Sequence, residues 1–372
     1  ETTGGRAYLA EVIDSVPTAS GASNYASIIV DQALLRHIID VGSDMVKDGF
    51  DVTQSVDDVL ERAQRNIMTL SRERVQDDFV HIKDVLMPVM DSMHSVYPSE
   101  TGILGITTGF DDIDTLTSGF QNSDLIILAA RPGMGKTTLA LNIAVNTAIN
   151  ANTGVAIFSL EMPKEQLATR LLCSEAKIDS ARLKTANLGN KESDQLMHAL
   201  GKLSEAPIYL DDAASLTPFE LRAKTRRLQL EAEIGLVVID YLQLMRGSRK
   251  RSENRFQEVS EIIREIKAFA REINLPVIAL SQLSRDIEKR PDQTPKLSDL
   301  RETGEIEQTA DLVFFIYHDT HYESNSSTAA VPVKLILAKH RNGPVGAVDL
   351  VFRKDVSRFY GTDRQAGLPP AR

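Results

Sequence analysis

Residues Leu125–Ala144 read LIILAARPGMGKTTLALNIA. The first six are apolar and have the length and composition of a buried strand. A turn carrying Gly133 and Gly135 follows, and an amphipathic helix follows that. The turn matches the phosphate-binding loop GxxxxGK[ST], with Ala130 in the place of the first glycine. Arg131, Pro132, Gly133, Met134, Gly135, Lys136, Thr137 and Thr138 make up this loop. Its backbone N–H groups, gathered at a helix N-terminus, form a cradle for an anion. In such a loop the lysine, here Lys136, reaches the β and γ phosphates, and the hydroxyl of Thr137 faces Mg²⁺. A chance match on an ordinary βα turn is the competing explanation; a strand before and a helix after weigh against it.

Outward from this loop the pattern is one of alternation. From Ile106 onward, short β-branched runs occur at Leu125–Ala130, Val155–Leu160, Ile208–Leu210, Leu236–Tyr241, Val277–Ser281, Leu312–Tyr317 and Val333–Ala338. Helices are expected between them at Thr138–Ala148, Lys164–Ala176, Pro218–Glu233 and Phe256–Ile273. The last has one apolar stripe, Phe256, Val259, Ile262, Ile263, Ile266 and Phe269. Alternation of this kind predicts an α/β fold with a mainly parallel central sheet and right-handed crossovers. The final strands lack helices between them and are expected to finish the sheet as hairpins.

Upstream the chain reads helical. One helix is marked by Tyr25, Ile28, Ile29, Leu35 and Ile38, another by Val56, Val59, Leu60, Ala63, Ile67 and Leu70, with Ser55 and Asp58 as a weak capping box. After a charged hinge (SRERVQDD), Phe79, Ile82, Leu86, Val89, Met93 and Val96 form a heptad stripe interrupted by Pro88. That helix either packs on its own domain or serves as an arm that docks on a neighbouring subunit; its place between a polar hinge and a turn-rich stretch favours the arm. Three regions result: residues 1–71, a linker over 72–103, and the α/β core over 104–372.

Composition bounds the function. Among 372 residues, 42% are apolar and 25% charged, which suits a globular protein of more than one domain. No run approaches the roughly 18 apolar residues of a membrane span, so no membrane role is expected. No signal peptide is evident, and a chain that opens at Glu1 rather than Met is expected to lack an upstream segment. The lone Cys173, in an apolar helical run, reads as a buried hydrophobe and fits a reducing, cytoplasmic setting. A net charge of −10 argues against a bulk nucleic-acid-coating protein but leaves room for a local basic site.

Further residues carry chemistry. In LVVIDYLQL, Asp240 ends a buried strand, at the end of an open α/β sheet where ligands bind, and can hold the Mg²⁺ water shell opposite Thr137. Glu161 ends the strand VAIFSLE immediately after the loop helix, where it can act as general base for water; the alternative is a carboxylate capping the next helix. Gln282 ends PVIALSQ and can sense a γ-phosphate, or is an ordinary surface amide. Arg246, Arg249, Lys250, Arg251 and Arg255 form a basic loop just after the Asp240 strand, either a nucleic-acid contact or a solvated charge run. In SDLRETG, Arg301 and the backbone near Gly304 can hold phosphates. Lys339 and Arg341 in LAKHRNG lie two apart at a strand end and project from one face; an arginine there can complete a neighbouring subunit's site as a finger.

Taken in this order, ARPGMGKTT, SLE at 159–161, Asp240, SQ at 281–282, DLRETG at 299–304 and KHRNG at 339–343 resemble the bacterial replicative DNA helicases of the DnaB type. The resemblance extends over nearly the whole chain: GGRAYLAEVIDSVPTA and YASIIVDQ look like the later part of that family's helical N-terminal domain, and Phe79–Val96 like its linker helix. It implies a RecA-like core and a homohexameric ring driven by ATP and Mg²⁺ along single-stranded DNA. Primase and a helicase loader are implied partners, and the cytoplasmic replisome the implied location. It assigns Lys136 and Thr137 to nucleotide and Mg²⁺, Glu161 to the base, Asp240 to the metal side and Gln282 to the link between γ-phosphate and DNA loops. Arg301, Glu302 and Gly304 fall on a DNA-contacting loop, Lys339 and Arg341 on residues acting on the adjacent subunit's ATP, and Arg170 on a further phosphate-side arginine. The main departure is the absent front of the N-terminal domain. A RecA-like recombinase and a nucleotide-gated binding module are the alternatives; the heptad arm disfavours the first and Glu161 the second.

Overall fold

The computed structural model describes residues 22–51, 103–185, 188–245, 255–300, 304–318 and 330–362, with short pieces between 59 and 67 and between 81 and 90. The chain divides into two compact units, Glu1–Asp91 and Ser92–Arg372, a boundary inside the stretch assigned above to a linker. In the first unit, helix α1 (Ala22–Phe50) runs for 29 residues, well beyond the expected stripe. The expected helices over Val56–Leu70 and Phe79–Val96, with Pro88, lie largely outside the described residues. The pieces at 59–60, 62–63, 66–67, 82–84, 86–87 and 90 are helical.

The second unit is built on one nine-stranded sheet. In chain order its elements are α2 (Asp111–Thr117), β1 (Leu125–Ala130), α3 (Lys136–Asn150), β2 (Gly154–Ser159), α4 (Lys164–Ala176), α5 (Ser180–Lys184), α6 (Asn190–Glu205), β3 (Ile208–Asp211), α7 (Pro218–Glu231), β4 (Ile234–Asp240), α8 (Arg255–Ile273), β5 (Val277–Gln282), α9 (Gly304–Thr309), β6 (Leu312–Tyr317), β7 (Ala330–His340), β8 (Gly346–Arg353) and β9 (Arg358–Gly361). The strand order is β3-β2-β4-β5-β1-β6-β7-β8-β9. Pairs from β3 to β6 are parallel, and β6 to β9 pair antiparallel, so the expected hairpin finish is present and includes two strands, β8 and β9, that the sequence pattern does not locate.

Both faces of β1 are covered, which is why its residues form an unbroken apolar run. Ile126, Leu128 and Ala130 enter a core with Leu139, Ile143 and Val145 of α3. Leu125, Ile127 and Ala129 enter a second core with Val259, Ile262, Ile266 and Phe269 of α8. Local signals set the helix ends. Thr217 accepts from Glu220 N at 3.2 Å while Glu220 accepts in return from Thr217 N, with Pro218 in the first turn of α7. Helix α6 escapes the strand-and-helix reading because it lies mostly on the surface, with Ala199 its one buried residue.

Candidate active site

Parallel register brings four strand ends together. Ala130 of β1 pairs with Gln282 of β5, and Ser159 of β2 pairs with Asp240 of β4. A cleft of about 360 Å³ opens there, lined by Ala130, Arg131, Pro132, Gly133, Gly135, Lys136, Thr137 and Thr138, with Glu161, Met162, Arg170, Tyr241, Gln282 and Phe352. Met134 differs from its neighbours in the loop: its side chain packs against the core beneath. Gly135 has φ +85°, and a Cβ there would stand 2.9 Å from the Phe359 ring, so both conformation and space require glycine.

Thr137 donates its hydroxyl to Asp240 Oδ2 at 2.7 Å, and Lys136 Nζ lies 3.8 Å from Asp240 Oδ1. Asp240 is almost fully buried, and its Oδ1 has no hydrogen-bond partner. A hydroxyl and a carboxylate with one oxygen free of hydrogen bonds suit a hard divalent cation that takes its remaining ligands from water and phosphate. Among the described residues no cluster of three or more His, Cys, Asp or Glu side chains is placed to hold a metal ion. Burial pulls the pKa of Lys136 down, against the opposing charges of Asp240 and Glu161. The ammonium also sits over the Tyr241 ring, 4.4 Å from its centroid. Burial, then Glu161 and Asp240, push the Tyr241 phenol upward.

Glu161 lies two residues past the end of β2, exposed on the cleft wall. Helix α4 begins after Pro163, and its first backbone N–H, that of Lys164, donates to Asp212 Oδ2 at 3.2 Å. Arg131 lines the cleft, yet its guanidinium is engaged outside it, by Glu288 at 2.8 Å and Gln293 at 3.2 Å. Tyr241, Met162 and Phe352 are cleft residues that the sequence reading does not single out. Tyr241 is within its reach, since it directly follows Asp240, but nothing local shows that its ring meets Lys136.

Lys339 and Arg341 do not line this cleft. Strand β7 runs antiparallel to β6, with Leu312 opposite His340, so the pair lies at the end of the sheet where β1 and β6 begin. Arg341 Nη1 stands 3.4 Å from Asp311 Oδ1, and its backbone N–H donates to Asp311 O at 2.9 Å. Asp311 Oδ2 accepts from Leu125 N at 2.8 Å and Lys267 Nζ at 2.5 Å. Lys339 Nζ donates to the carbonyls of Glu307 and Ala310, both at 2.6 Å, capping the C-terminal end of α9. The expected nucleic-acid residues Arg246, Arg249, Lys250, Arg251, Arg301 and Glu302 lie outside the described residues, as does the side chain of Arg255; Gly304 opens α9 and is exposed.

The chain matches the DnaB-like helicase C terminal domain over residues 105–361. It belongs to the DnaB-like helicase family. The replicative DNA helicase DnaB of Geobacillus stearothermophilus is 46% identical, with 100% of this chain and 82% of that protein covered. The replicative DNA helicase DnaC of Bacillus subtilis (strain 168) is 45% identical over the same shares. Among solved structures, an isolated ATPase domain superposes with TM-score 0.71 at 36% identity, covering 76% of this chain and 99% of that one. A DnaB-like replicative helicase, described with its interactions with primase, gives TM-score 0.77 at 32% identity, covering 96% and 83%. This DnaB-like chain is accordingly an ATP-dependent replicative DNA helicase with a RecA-like α/β core. No helix among its described residues is long and apolar enough to cross a membrane.

Proposed function

We propose that this helicase works as a homohexameric ring that hydrolyses ATP between subunits and travels along single-stranded DNA. The observation that carries it is the joint placement of Thr137, Asp240 and Lys136 under the glycine loop, with Glu161 on the facing wall. Backbone N–H groups of Gly133 to Thr138 receive the phosphates, and Lys136, held between Asp240 and the Tyr241 ring, meets the β and γ oxygens. Mg²⁺, held by Thr137 with Asp240 behind it, would neutralise charge developing on the γ-phosphate. Glu161 takes the proton of the attacking water, and Gln282 and Arg170 face the same phosphate from β5 and α4. Lys339 and Arg341, at the opposite end of the sheet, serve a neighbour's cleft. The loop with Arg301, Glu302 and Gly304 grips DNA, and the basic stretch Arg246 to Arg255 adds phosphate contacts.

The regions 1–71, 72–103 and 104–372 are the later N-terminal domain, linker and motor, working in the cytoplasmic replisome with primase and a loader. The test is strand separation of a forked duplex by the full-length protein with ATP and Mg²⁺, beside a Glu161→Gln variant. That variant is expected to bind nucleotide normally and to lose turnover and unwinding. Hydrolysis retained at the wild-type rate would remove Glu161 from the role of base.

A further inference from the structure

The loop after β5 is a closed clip. Leu283 and Leu300 pair as an isolated antiparallel bridge at its neck, and Leu283 N donates to Ala130 O at 3.2 Å. Arg290 Nη2 pairs with Asp299 Oδ2 at 2.5 Å, and Asp299 also accepts from Lys296 N at 2.8 Å. Ile287 is fully buried, which fixes the direction of the next residue, Glu288. The clip ends at Leu300, directly before Arg301.

Arg131 ties this clip to the phosphate loop. It follows β1, lines the nucleotide cleft, and spends one arm of its guanidinium on Glu288 and the other on Gln293. A planar fork that satisfies two acceptors on one segment fixes orientation as well as distance. We infer that Glu288 is a positioning residue that couples occupancy of the nucleotide cleft to the grip on single-stranded DNA, in parallel with Gln282. A triphosphate draws the loop cation Arg131 toward its own charge. Through Glu288 the stapled clip follows as a unit and moves the root of Arg301. The inference rests on the assignment of Arg301 to DNA proposed above.

The experiment uses the full chain and a labelled oligothymidylate, with affinity measured in ADP and in a non-hydrolysable ATP analogue. For Glu288→Ala, DNA-free ATPase and affinity in ADP stay at wild-type values. The ratio of the two affinities falls at least about fivefold, the lower end of ordinary allosteric coupling. In an Arg131→Met background the same change has no further effect on that ratio, because one interaction cannot be lost twice. An unchanged ratio, an equal loss in both nucleotide states, or additive losses in the double variant would each overturn the inference. Arg301→Glu separates the two layers. Unaltered oligonucleotide affinity there removes the DNA assignment, whereas weakened affinity there with an intact ratio in Glu288→Ala removes the coupling role alone.

Discussion

Asp124 shows how far a single buried carboxylate can be displaced from its solution behaviour. It is nearly buried at the start of β1, beside Asp311. Burial, then the like charge of Asp311, push its pKa up from 3.8 to about 6, only partly offset by Lys267. Folding therefore favours the protonated form relative to the unfolded chain. The fold gains from this below the unfolded value near 3.8 and loses it as pH rises through about 6. Asp124→Asn is isosteric with the protonated form and carries no charge. Its melting-temperature advantage over wild type is expected to grow between about pH 4 and about pH 6. Above that the advantage holds steady, corresponding to a free-energy difference on the order of 2 kcal/mol. A thermal-melt series in which the advantage is independent of pH would show that folding does not raise the pKa of Asp124. Lys136 faces the same burial penalty with opposite sign, but Asp240 and Glu161 sustain its charge where an anionic substrate binds.

Among the elements, α8 is the most legible. Its stripe of Val259, Ile262, Ile263, Ile266 and Phe269 follows from spacing alone, and all five are fully buried against the sheet. Removing the largest should leave a cavity the surroundings cannot close: Phe269→Ala is expected to lower unfolding free energy by roughly 3–5 kcal/mol. Denaturant unfolding followed by circular dichroism measures it; a loss under about 1 kcal/mol would mean that the core collapses into the space. Lys339 gives the opposite lesson. In sequence it is a basic residue at a strand end. In the fold its ammonium closes the carbonyl end of α9, a contact between residues 32 and 29 apart in the chain that no local pattern announces.

At the scale of the whole molecule, the nucleotide cleft and the Lys339–Arg341 pair lie at opposite ends of one sheet. One chain cannot bring its own Arg341 to its own cleft without unpairing β7, so the role proposed for Arg341 requires a second subunit. Mixing Arg341→Ala chains into wild-type rings should therefore depress ATPase activity more steeply than dilution. Steady-state turnover across a series of mixing ratios checks this, and a fall in simple proportion to the mutant fraction would rule out action in trans.

What the sequence determined by itself was what short-range physics controls. The left-handed backbone of the loop glycines, the alternation of strand and helix, and the apolar stripe of α8 all depend on neighbours within a few residues, where backbone sterics and periodic burial operate. The family resemblance rests on those same local motifs, and the matched domain over residues 105–361 bears it out. Tertiary structure alone decided which distant groups meet. Thr137 joins Asp240 across 103 residues, Arg131 joins Glu288 across 157, and Leu125 joins Asp311 across 186. The cause is the strand order, which places β4 and β5 beside β1 and β2 rather than in chain sequence. Partners are then chosen by register across the sheet, and register is set by how the two buried faces pack.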